Sequence, residues 1–216
     1  MMWNPTTEDP GSEVAFETLL DWRRRVNHLY ARVHSLLPTD PVAAHALWRA
    51  GRDELFAQHP QSPLARQARL GFQGLHVWRY DPAFAFTAVI QPVEEQRLEV
   101  LTSTGAPMPL VRFGQVTLPI GRLEVFWIDV YGGGVFIPFR DATSGRVTYG
   151  GGRYLLDTAK SADLGSTAGG ELILDFNFAY HPSCFYNDAW SCPLAPPGNV
   201  LSVEVCAGER ASPVDS

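Results

Sequence analysis

The amino-acid sequence predicts a mainly β protein with two α-helices at its N-terminal end. Three observations lead to this prediction. Apolar residues recur at three- and four-residue steps up to about residue 36, which is helical spacing. From Gly71 onward they alternate at every second position, which is typical of strands. No helix interrupts these segments, and turns rich in Gly, Pro and Asp separate them. The expected architecture is therefore an antiparallel, curved β-barrel or sandwich of about eight or nine strands.

The first predicted helix begins after Ser12, a residue type that caps helices, and Glu13 and Glu17 place negative charge in its first turn. We expect its apolar side to pack on the barrel wall or across the barrel mouth, because an amphipathic helix buries that side. This apolar stripe consists of Leu19, Trp22, Val26, Leu29, Val33 and Leu36.

A second helix is predicted from Pro41 to about Gln58, because Asp40 can cap it and Pro is favoured at the first helical position. Pro60 and Pro63 end it. A short helix is predicted over residues 64–70. The expected organisation is a disordered lead over 1–12, a helical segment over 13–70, the barrel over 71–210 and a tail over 211–216.

The predicted strands differ in the chemistry of their two faces. The segment at 172–180 alternates apolar residues with a set that includes Asp175 and Asn177, and the last segment places Glu204 on its polar side. Inside a closed barrel such polar positions would line a cavity. The predicted strands lie within residues 84–90, 98–102, 111–117, 123–130, 135–139, 149–156, 172–180 and 200–206.

Composition excludes several classes of function. The chain has 17 basic and 23 acidic residues, a net charge of −6, and its basic residues are dispersed apart from Arg23-Arg24-Arg25. Nucleic-acid binding needs a basic face and is not expected. No stretch approaches the ~18 apolar residues of a membrane span, and no secretory signal precedes the three cysteines. We therefore expect a cytoplasmic protein with reduced thiols and no membrane partner.

Several motifs resemble one known family. They are WRAGRDELFAQHPQSPL at 48–64, FIPFRDATSG at 136–145, YGGGRYL at 149–155, the run at 175–199 and AGE at 207–209. On these motifs the chain resembles the DUF1684 family over roughly residues 20–210. The family is defined without an established function, so the resemblance implies none. Because its members usually carry Asn at the position of His181, a mechanism that needs His181 would not be family-wide.

A glycine run at residues 150–152 leads into the candidate ligand site. Glycine in a strand marks a bulge, a bend or a close approach of backbone or ligand. A phosphate loop is not indicated, because the Lys-Ser/Thr pair and the following helix are missing. If the bend opens a pocket, as in calycin-like barrels that hold one small ligand, the ligand-binding residues would be Arg140, Tyr149, Arg153, Asp175 and Asn177. The alternative is that the glycines only turn the sheet and the arginines form structural ion pairs.

The loop after residue 180 contains the candidate catalytic groups. Cys184 could act as a nucleophile if His181 or another nearby group stabilises its thiolate. Asp175 is a further candidate, and the catalytic residues stay unknown at this point. His181, Cys184 and Cys192 are three possible ligands for a metal. Structural zinc normally takes four ligands in short paired spacings, so no metal and no other cofactor is predicted. The alternative is that the cysteines pack as small apolar groups.

Three functions are consistent with these patterns. The first is a small-molecule-binding β-barrel with a polar pocket, which is preferred because polar strand positions flank the glycine run. The second is a hydrolase or transferase that uses Cys184 or Asp175. The third is a structural or interaction protein in which a partner completes the apolar helix stripe.

Overall fold

The computed structural model describes residues 15–211. The predicted lead over 1–12, the cap at Ser12, the position of Glu13 and the tail beyond residue 211 lie outside this range. Within it, no helix is both long enough and apolar enough to span a bilayer.

Three helices come first, as predicted. Helix α1 spans Phe16–Leu36, α2 spans Pro41–Gln58 and α3 spans Arg66–Leu70. The start of α2 follows from its sequence: Asp40 accepts a 2.9 Å hydrogen bond from the Ala43 amide, and proline occupies the first helical turn.

Seven strands follow and form two antiparallel sheets. The larger sheet is a meander of five strands, in which each strand pairs with the next along the chain. The smaller one pairs the first strand with the last. The strands are β1 (Ala85–Ala88), β2 (Gln91–Leu101), β3 (Pro107–Leu118), β4 (Gly121–Ile128), β5 (Val135–Phe139), β6 (Arg153–Asp157) and β7 (Leu172–Asp175).

The expected closed barrel is not found among residues 15–211. Strands β2 and β6 are the outer strands of the large sheet, and the β1–β7 ladder is separate from it. The fold is therefore a mixed one, with N-terminal helices and two antiparallel sheets.

Several predicted strands are shorter than expected or absent. The segment at 84–90 is a strand only over Ala85–Ala88, and the segment at 149–156 becomes one only at Arg153, after a turn at 150–151. The segment at 172–180 leaves extended geometry after Asp175, because the Asp175 carboxylate accepts the Asn177 amide and caps a 3₁₀ turn over Phe176–Phe178. The segment at 200–206 forms no regular strand. Val200 makes a single bridge with Arg140, and the Arg153 guanidinium binds the Val205 carbonyl in place of a strand partner.

The helices pack on the large sheet. The inner part of the α1 stripe is buried in one apolar cluster with Trp48 of α2 and with side chains of β4 and β5 such as Phe126 and Phe136. Leu29 and Val33 are buried, while Trp22, Val26 and Leu36 pack at the margin of the cluster. The margin of this stripe is where a cavity remains.

Candidate functional site

A cavity of about 170 Å³ lies between helices α1 and α2 and the loops that follow β6 and β7. Among residues 15–211, its wall carries three basic side chains, Arg23, Arg52 and Lys160, and no acidic one. Most of the remaining wall is apolar or aromatic, and this part includes Trp22, Val26, Tyr30, Phe56, Tyr180 and Trp190.

Helix α1 supplies one side of the cavity because of its residue spacing. Leu19, Trp22, Arg23, Val26 and Tyr30 follow one another at one-, three- and four-residue steps, so they share a helix face. Arg23 therefore stands at the edge of the apolar stripe.

Arg52 enters the cavity from α2 and is held by Glu209. Its Nη2 lies 2.6 Å from Glu209 Oε1, and the two side chains are 12% and 1% exposed. The guanidinium also lies over the rings of Phe56 and Tyr180, at 5.2 and 4.8 Å from their centroids. Burial is the largest single influence and opposes the charge on Arg52, but Glu209 together with Tyr30 and Tyr186 raises the pKa of Arg52 above its ordinary value. Arg52 is thus a fixed cation.

His181 reaches the cavity because the preceding residue pairs with the outer edge of β6. Tyr180 and Tyr154 exchange backbone hydrogen bonds of 3.1 and 2.9 Å. His181 Nε2 then accepts the Tyr149 amide at 3.2 Å, while its Nδ1 has no hydrogen-bond partner among residues 15–211. Burial and the nearby Arg153 and Arg52 hold the pKa of His181 well below 6.5, so the ring is neutral.

Lys160 stands on the opposite wall, beside a buried carboxylate. Its Nζ lies 3.6 Å from Asp157 Oδ2, and the same oxygen accepts a 3.2 Å hydrogen bond from the Tyr180 hydroxyl. The Lys160 side chain is 28% exposed, whereas Asp157 is 2% exposed. Asp157 thus fixes the position of a cation that solvent and a ligand can reach.

The predicted nucleophile lies behind this cavity and not on its wall. The Cys184 thiol is 3.8 Å from the Tyr149 hydroxyl, and no described contact joins it to His181. A hydrogen bond from the Cys192 thiol outweighs burial and lowers the pKa of Cys184 to about 6, with further help from Ser103, Tyr149 and Lys160. The pair of thiols shares a proton, and the pKa of Cys192 rises accordingly. The contacts of Cys184 therefore stabilise its thiolate without a histidine base.

Arg153 is one of the predicted ligand-binding residues. Its Nη1 and Nη2 atoms are occupied by hydrogen bonds to other parts of the protein. Its Nη2 binds the Val205 carbonyl at 2.9 Å and Asp141 Oδ1 at 3.3 Å, and its Nη1 binds the Ala207 and Glu209 carbonyls. The side chain is 1% exposed. Burial lowers the pKa of Arg153, although Asp141 opposes this. Its carboxylate partner is Asp141 and not Asp175.

Asp175 and Asn177 lie together but face another loop. Asp175 Oδ1 accepts the Asn177 side-chain amide at 2.7 Å, and Asp175 Oδ2 accepts the Tyr80 hydroxyl at 3.2 Å. Asn177 exchanges two further hydrogen bonds with the backbone of Asp81. Burial raises the pKa of Asp175 to about 6. Neither residue lines the helix-covered cavity.

The last two predicted ligand-binding residues lie apart from that pair. Tyr149 is half-buried, contacts Cys184, and its hydroxyl has a pKa raised to about 12 by burial. Arg140 is half-buried, and its Nε has no hydrogen-bond partner within the described chain. None of the five predicted residues lines the helix-covered cavity, and their role in ligand binding stays a prediction.

The glycine run marks a close approach of backbone. Gly152 has φ of +99°, and a Cβ there would come within 2.6 Å of the Phe139 carbonyl oxygen. A Cβ at Gly151 would meet the Tyr149 ring at 2.4 Å. In residues 15–211 no three His, Cys, Asp or Glu side chains converge as a metal site would require.

Three residues around the cavity escaped the sequence prediction, namely Arg52, Lys160 and Glu209. Arg52 and Glu209 both lie in motifs that carry the family resemblance, and Arg52 follows Trp48 by one helical turn. That position placed it on the apolar face of α2, which is an unusual place for an arginine. Lys160 gave no comparable signal.

Fold and site together define a helix-covered antiparallel β protein with a basic, aromatic cavity. The model of the family "Protein of unknown function (DUF1684)" matches residues 70–210, and the chain belongs to this family. The chain is similar to an uncharacterized protein of Haloarcula marismortui solved by solution NMR, with 33% identity and a TM-score of 0.53. That match covers 76% of this chain and 90% of the other. No curated protein matches.

Proposed function

We propose that the protein binds a small organic anion in the helix-covered cavity. The observation that carries the proposal is the charge of the wall, to which the part of the chain described by the structure contributes three basic side chains and no acidic one, in a chain whose net charge is −6. A basic cavity in an acidic protein is a local arrangement and not a consequence of overall composition.

The three cations differ in how they would act on an anion. Arg52 is fixed by Glu209, which partly neutralises it, so it supplies a rigid donor. Lys160 is paired with Asp157 but remains accessible. Arg23 is exposed and has no ion-pair partner among the described residues, so its charge is available. Recognition would thus combine one preformed donor with two adaptable ones.

The apolar part of the wall defines the rest of the ligand. Pockets for small molecules are usually mostly apolar, with a few placed polar groups that set orientation. Here aromatic rings surround the basic groups, and Trp22 and Phe56 lie 6.4 Å apart, centroid to centroid. A carboxylate or phosphate attached to an apolar or aromatic body fits this distribution better than a bare inorganic anion.

Thermal-shift measurements with matched ligand pairs test the proposal. Benzoate, indole-3-acetate and phenyl phosphate are compared with the uncharged benzamide and indole-3-acetamide. We expect the anions to raise the melting temperature and the amides to have little effect, because binding to the native state alone is stabilising.

Two arginine variants locate the binding. Arg23→Gln should weaken anion binding by about tenfold, since a charge-assisted contact contributes about 1.5 kcal/mol or more. Arg24→Gln is the control, because Arg24 is exposed on the same helix but does not line the cavity. Equal protection by the amides, or equal weakening by both variants, would refute the proposal.

A catalytic role for Cys184 is the second candidate. The lowered pKa of its thiol supports it, because a thiolate is the reactive form of cysteine. Its position away from the cavity wall and the absence of a contact with His181 argue against a Cys–His nucleophile. The hydrolase or transferase hypothesis therefore depends on the Cys184 thiol without a histidine base, or on Asp175, whose pKa burial raises to about 6. The cytoplasmic location stays a prediction.

A further inference from the structure

Two cysteines lie at the ends of a loop that forms part of the cavity wall. Cys184 lies in a 3₁₀ turn over Ser183–Phe185, and Cys192 follows at the other end of the loop. Ser183 and Trp190, which line the helix-covered cavity, belong to the same stretch of chain. A covalent bond between the two cysteines would therefore fix a segment of this wall.

The two thiols are in contact in the folded chain. The Cys192 thiol forms hydrogen bonds with the thiol and with the backbone of Cys184. The packing around them agrees with this contact, because Cys184 Sγ also lies 3.8 Å from the Tyr149 hydroxyl. A Cβ at Gly151 would meet the Tyr149 ring at 2.4 Å and the Leu194 side chain at 2.8 Å. The Tyr149 ring thus lies between the turn of Cys184 and the chain that follows Cys192.

Hydrogen bonds hold both ends of the loop in place. The Cys192 carbonyl accepts the Ser103 amide at 2.8 Å, and the Cys192 amide donates to Ser103 Oγ at 3.2 Å. At the other end, the Pro182 carbonyl accepts the Phe185 amide at 3.0 Å. A disulfide requires two sulfur atoms that can approach without a large movement of the backbone, and this anchored arrangement favours one.

The two cysteines differ in exposure. Cys184 is 8% exposed, whereas Cys192 is fully buried. A small oxidant therefore reaches Cys184 first, and Cys192 is protected until Cys184 has reacted. The stabilised thiolate of Cys184 is the nucleophilic form of cysteine. An accessible thiolate beside a second thiol is typical of cysteines that are oxidised reversibly.

We propose that Cys184 and Cys192 are a site of reversible oxidation, at which a small hydroperoxide converts the two thiols into a disulfide. In the first step the Cys184 thiolate attacks the peroxide, so that an S–O bond forms, the O–O bond breaks and the leaving oxygen takes up a proton from solvent. The product is a sulfenic acid at Cys184.

The second step consumes this sulfenic acid. Cys192 Sγ attacks Cys184 Sγ, an S–S bond forms, and the hydroxide that leaves takes the proton of the Cys192 thiol to become water. Two thiols are thereby oxidised by two electrons and one hydroperoxide is reduced. A dithiol reductant restores both thiols by exchange, so in a reducing compartment the disulfide is transient.

The third cysteine has different surroundings. Cys206 is exposed, and the neighbouring acids Glu204 and Asp141 disfavour its thiolate. Exposure alone would make Cys206 the most easily oxidised thiol, whereas the proposal assigns the faster reaction to the buried pair. The two cases are therefore distinguishable in one protein.

The experiment treats the full-length protein with hydrogen peroxide, blocks the remaining thiols and digests the product with chymotrypsin without reduction. Chymotrypsin cuts after the three aromatic residues that separate Cys184 from Cys192, so a disulfide joins two distinct peptides in the mass spectrum. We expect this cross-link to form before Cys206 is oxidised and to be lost after treatment with dithiothreitol. Cys206→Ser is the control and should form the cross-link at an unchanged rate.

The variant Cys192→Ala tests the second step. Its Cys184 should stop at the sulfenic acid, which dimedone traps, or continue to the sulfinic acid, since no second thiol is present to form the disulfide. A cross-link that contains Cys206, or no cross-link at peroxide concentrations that oxidise Cys206, would overturn the proposal. Equal formation of sulfinic acid at Cys184 with and without Cys192 would do the same. If Cys192→Ala does not fold, the peptide maps of the unmodified protein and of Cys206→Ser decide the question.

Discussion

Arg52 and Glu209 lie 157 positions apart and form a nearly solvent-free ion pair, with Nη2 and Oε1 separated by 2.6 Å. The second oxygen of Glu209 accepts the His181 amide at 2.7 Å and the Tyr186 hydroxyl at 2.8 Å. One carboxylate therefore joins helix α2, the C-terminal segment and the loop after residue 180. This junction sets the position of two residues of the cavity wall, Arg52 and His181.

Replacing Glu209 by Gln should destabilise the fold by about 3 kcal/mol, because removing one member of a buried pair leaves the other charge unbalanced. Urea denaturation measures the change in the free energy of unfolding. The control is Glu204→Gln, since Glu204 pairs with Arg146 on the surface, where the side chains are 51% and 67% exposed. That change should amount to less than about 1 kcal/mol. Similar losses in both variants would contradict the role assigned to Glu209.

The glycine run allows a second matched comparison. Gly152→Ala should destabilise by about 2 kcal/mol or more, because the new Cβ meets a backbone oxygen at 2.6 Å and φ is +99°. Gly150→Ala is the control, since its Cβ finds its nearest neighbour at 3.7 Å. Thermal or urea unfolding of the two variants gives the comparison. If Gly152→Ala is as stable as Gly150→Ala, the close packing at this bend does not contribute to the stability of the fold.

The helices were predictable because their signals are local. The capping Asp40, the following Pro41 and the apolar spacing of α1 depend on neighbours within a turn or two. The strands from Pro107 to Phe139 were predictable in the same way, since alternation and turn residues are local, whereas the strand predicted at 98–102 covers only the end of β2.

The departures from prediction have long-range causes. The segment at 200–206 is held by single backbone hydrogen bonds to residues 140 and 142 and by the side chains of Asp141 and Arg153, and not by a neighbouring strand. Alternation in the sequence cannot show whether a segment is held by side chains or by a neighbouring strand. The ion-pair partner of Arg153 is Asp141, which lies in a motif of the family resemblance but was not among the candidate site residues. The cavity lies between helices and loops. Alternation of side chains along strands therefore does not indicate which residues line it.

The thiols give a prediction about reactivity. Cys184 should be alkylated by iodoacetamide with a rate that rises through about pH 6, because the Cys192 thiol stabilises its thiolate. Mass spectrometry of peptides follows the modification at each pH. Cys206 is an internal comparison, because the residue is exposed. Partial burial of its thiol and nearby acids raise its pKa, so its alkylation rate should rise only at higher pH.

The variant Cys192→Ala isolates the cause. Without the donor thiol, the pH profile of Cys184 should move towards that of an ordinary cysteine. An unchanged profile would show that Cys192 does not stabilise the thiolate. An ordinary profile in the unmodified protein would remove the support for a Cys184 nucleophile.

His45 gives a prediction about acid stability. Burial outweighs a hydrogen bond to the Asn177 backbone and lowers the pKa of His45 from 6.5 to about 4. The unfolded chain therefore binds a proton below pH 6.5 that the folded chain does not, and stability falls as the pH drops from 6.5 towards 4. Over this range the contribution should amount to about 3 kcal/mol. His181 acts in the same direction, since its pKa is also lowered.

Asp175 acts in the opposite direction, so the effect of His45 must be measured as a difference. With a pKa raised from 3.8 to about 6, folded Asp175 binds a proton that the unfolded chain lacks, which adds stability as the pH falls through that range. The comparison is between the unmodified protein and His45→Phe, which keeps an aromatic ring against Trp48 and Phe178. Both proteins retain Asp175 and His181, so subtraction removes their contributions. Urea denaturation at pH 7 and pH 4.5 should show a smaller acid-side loss in the variant. Parallel profiles would mean that His45 titrates alike in both states, and its burial beside Trp48 would then have no effect on proton binding.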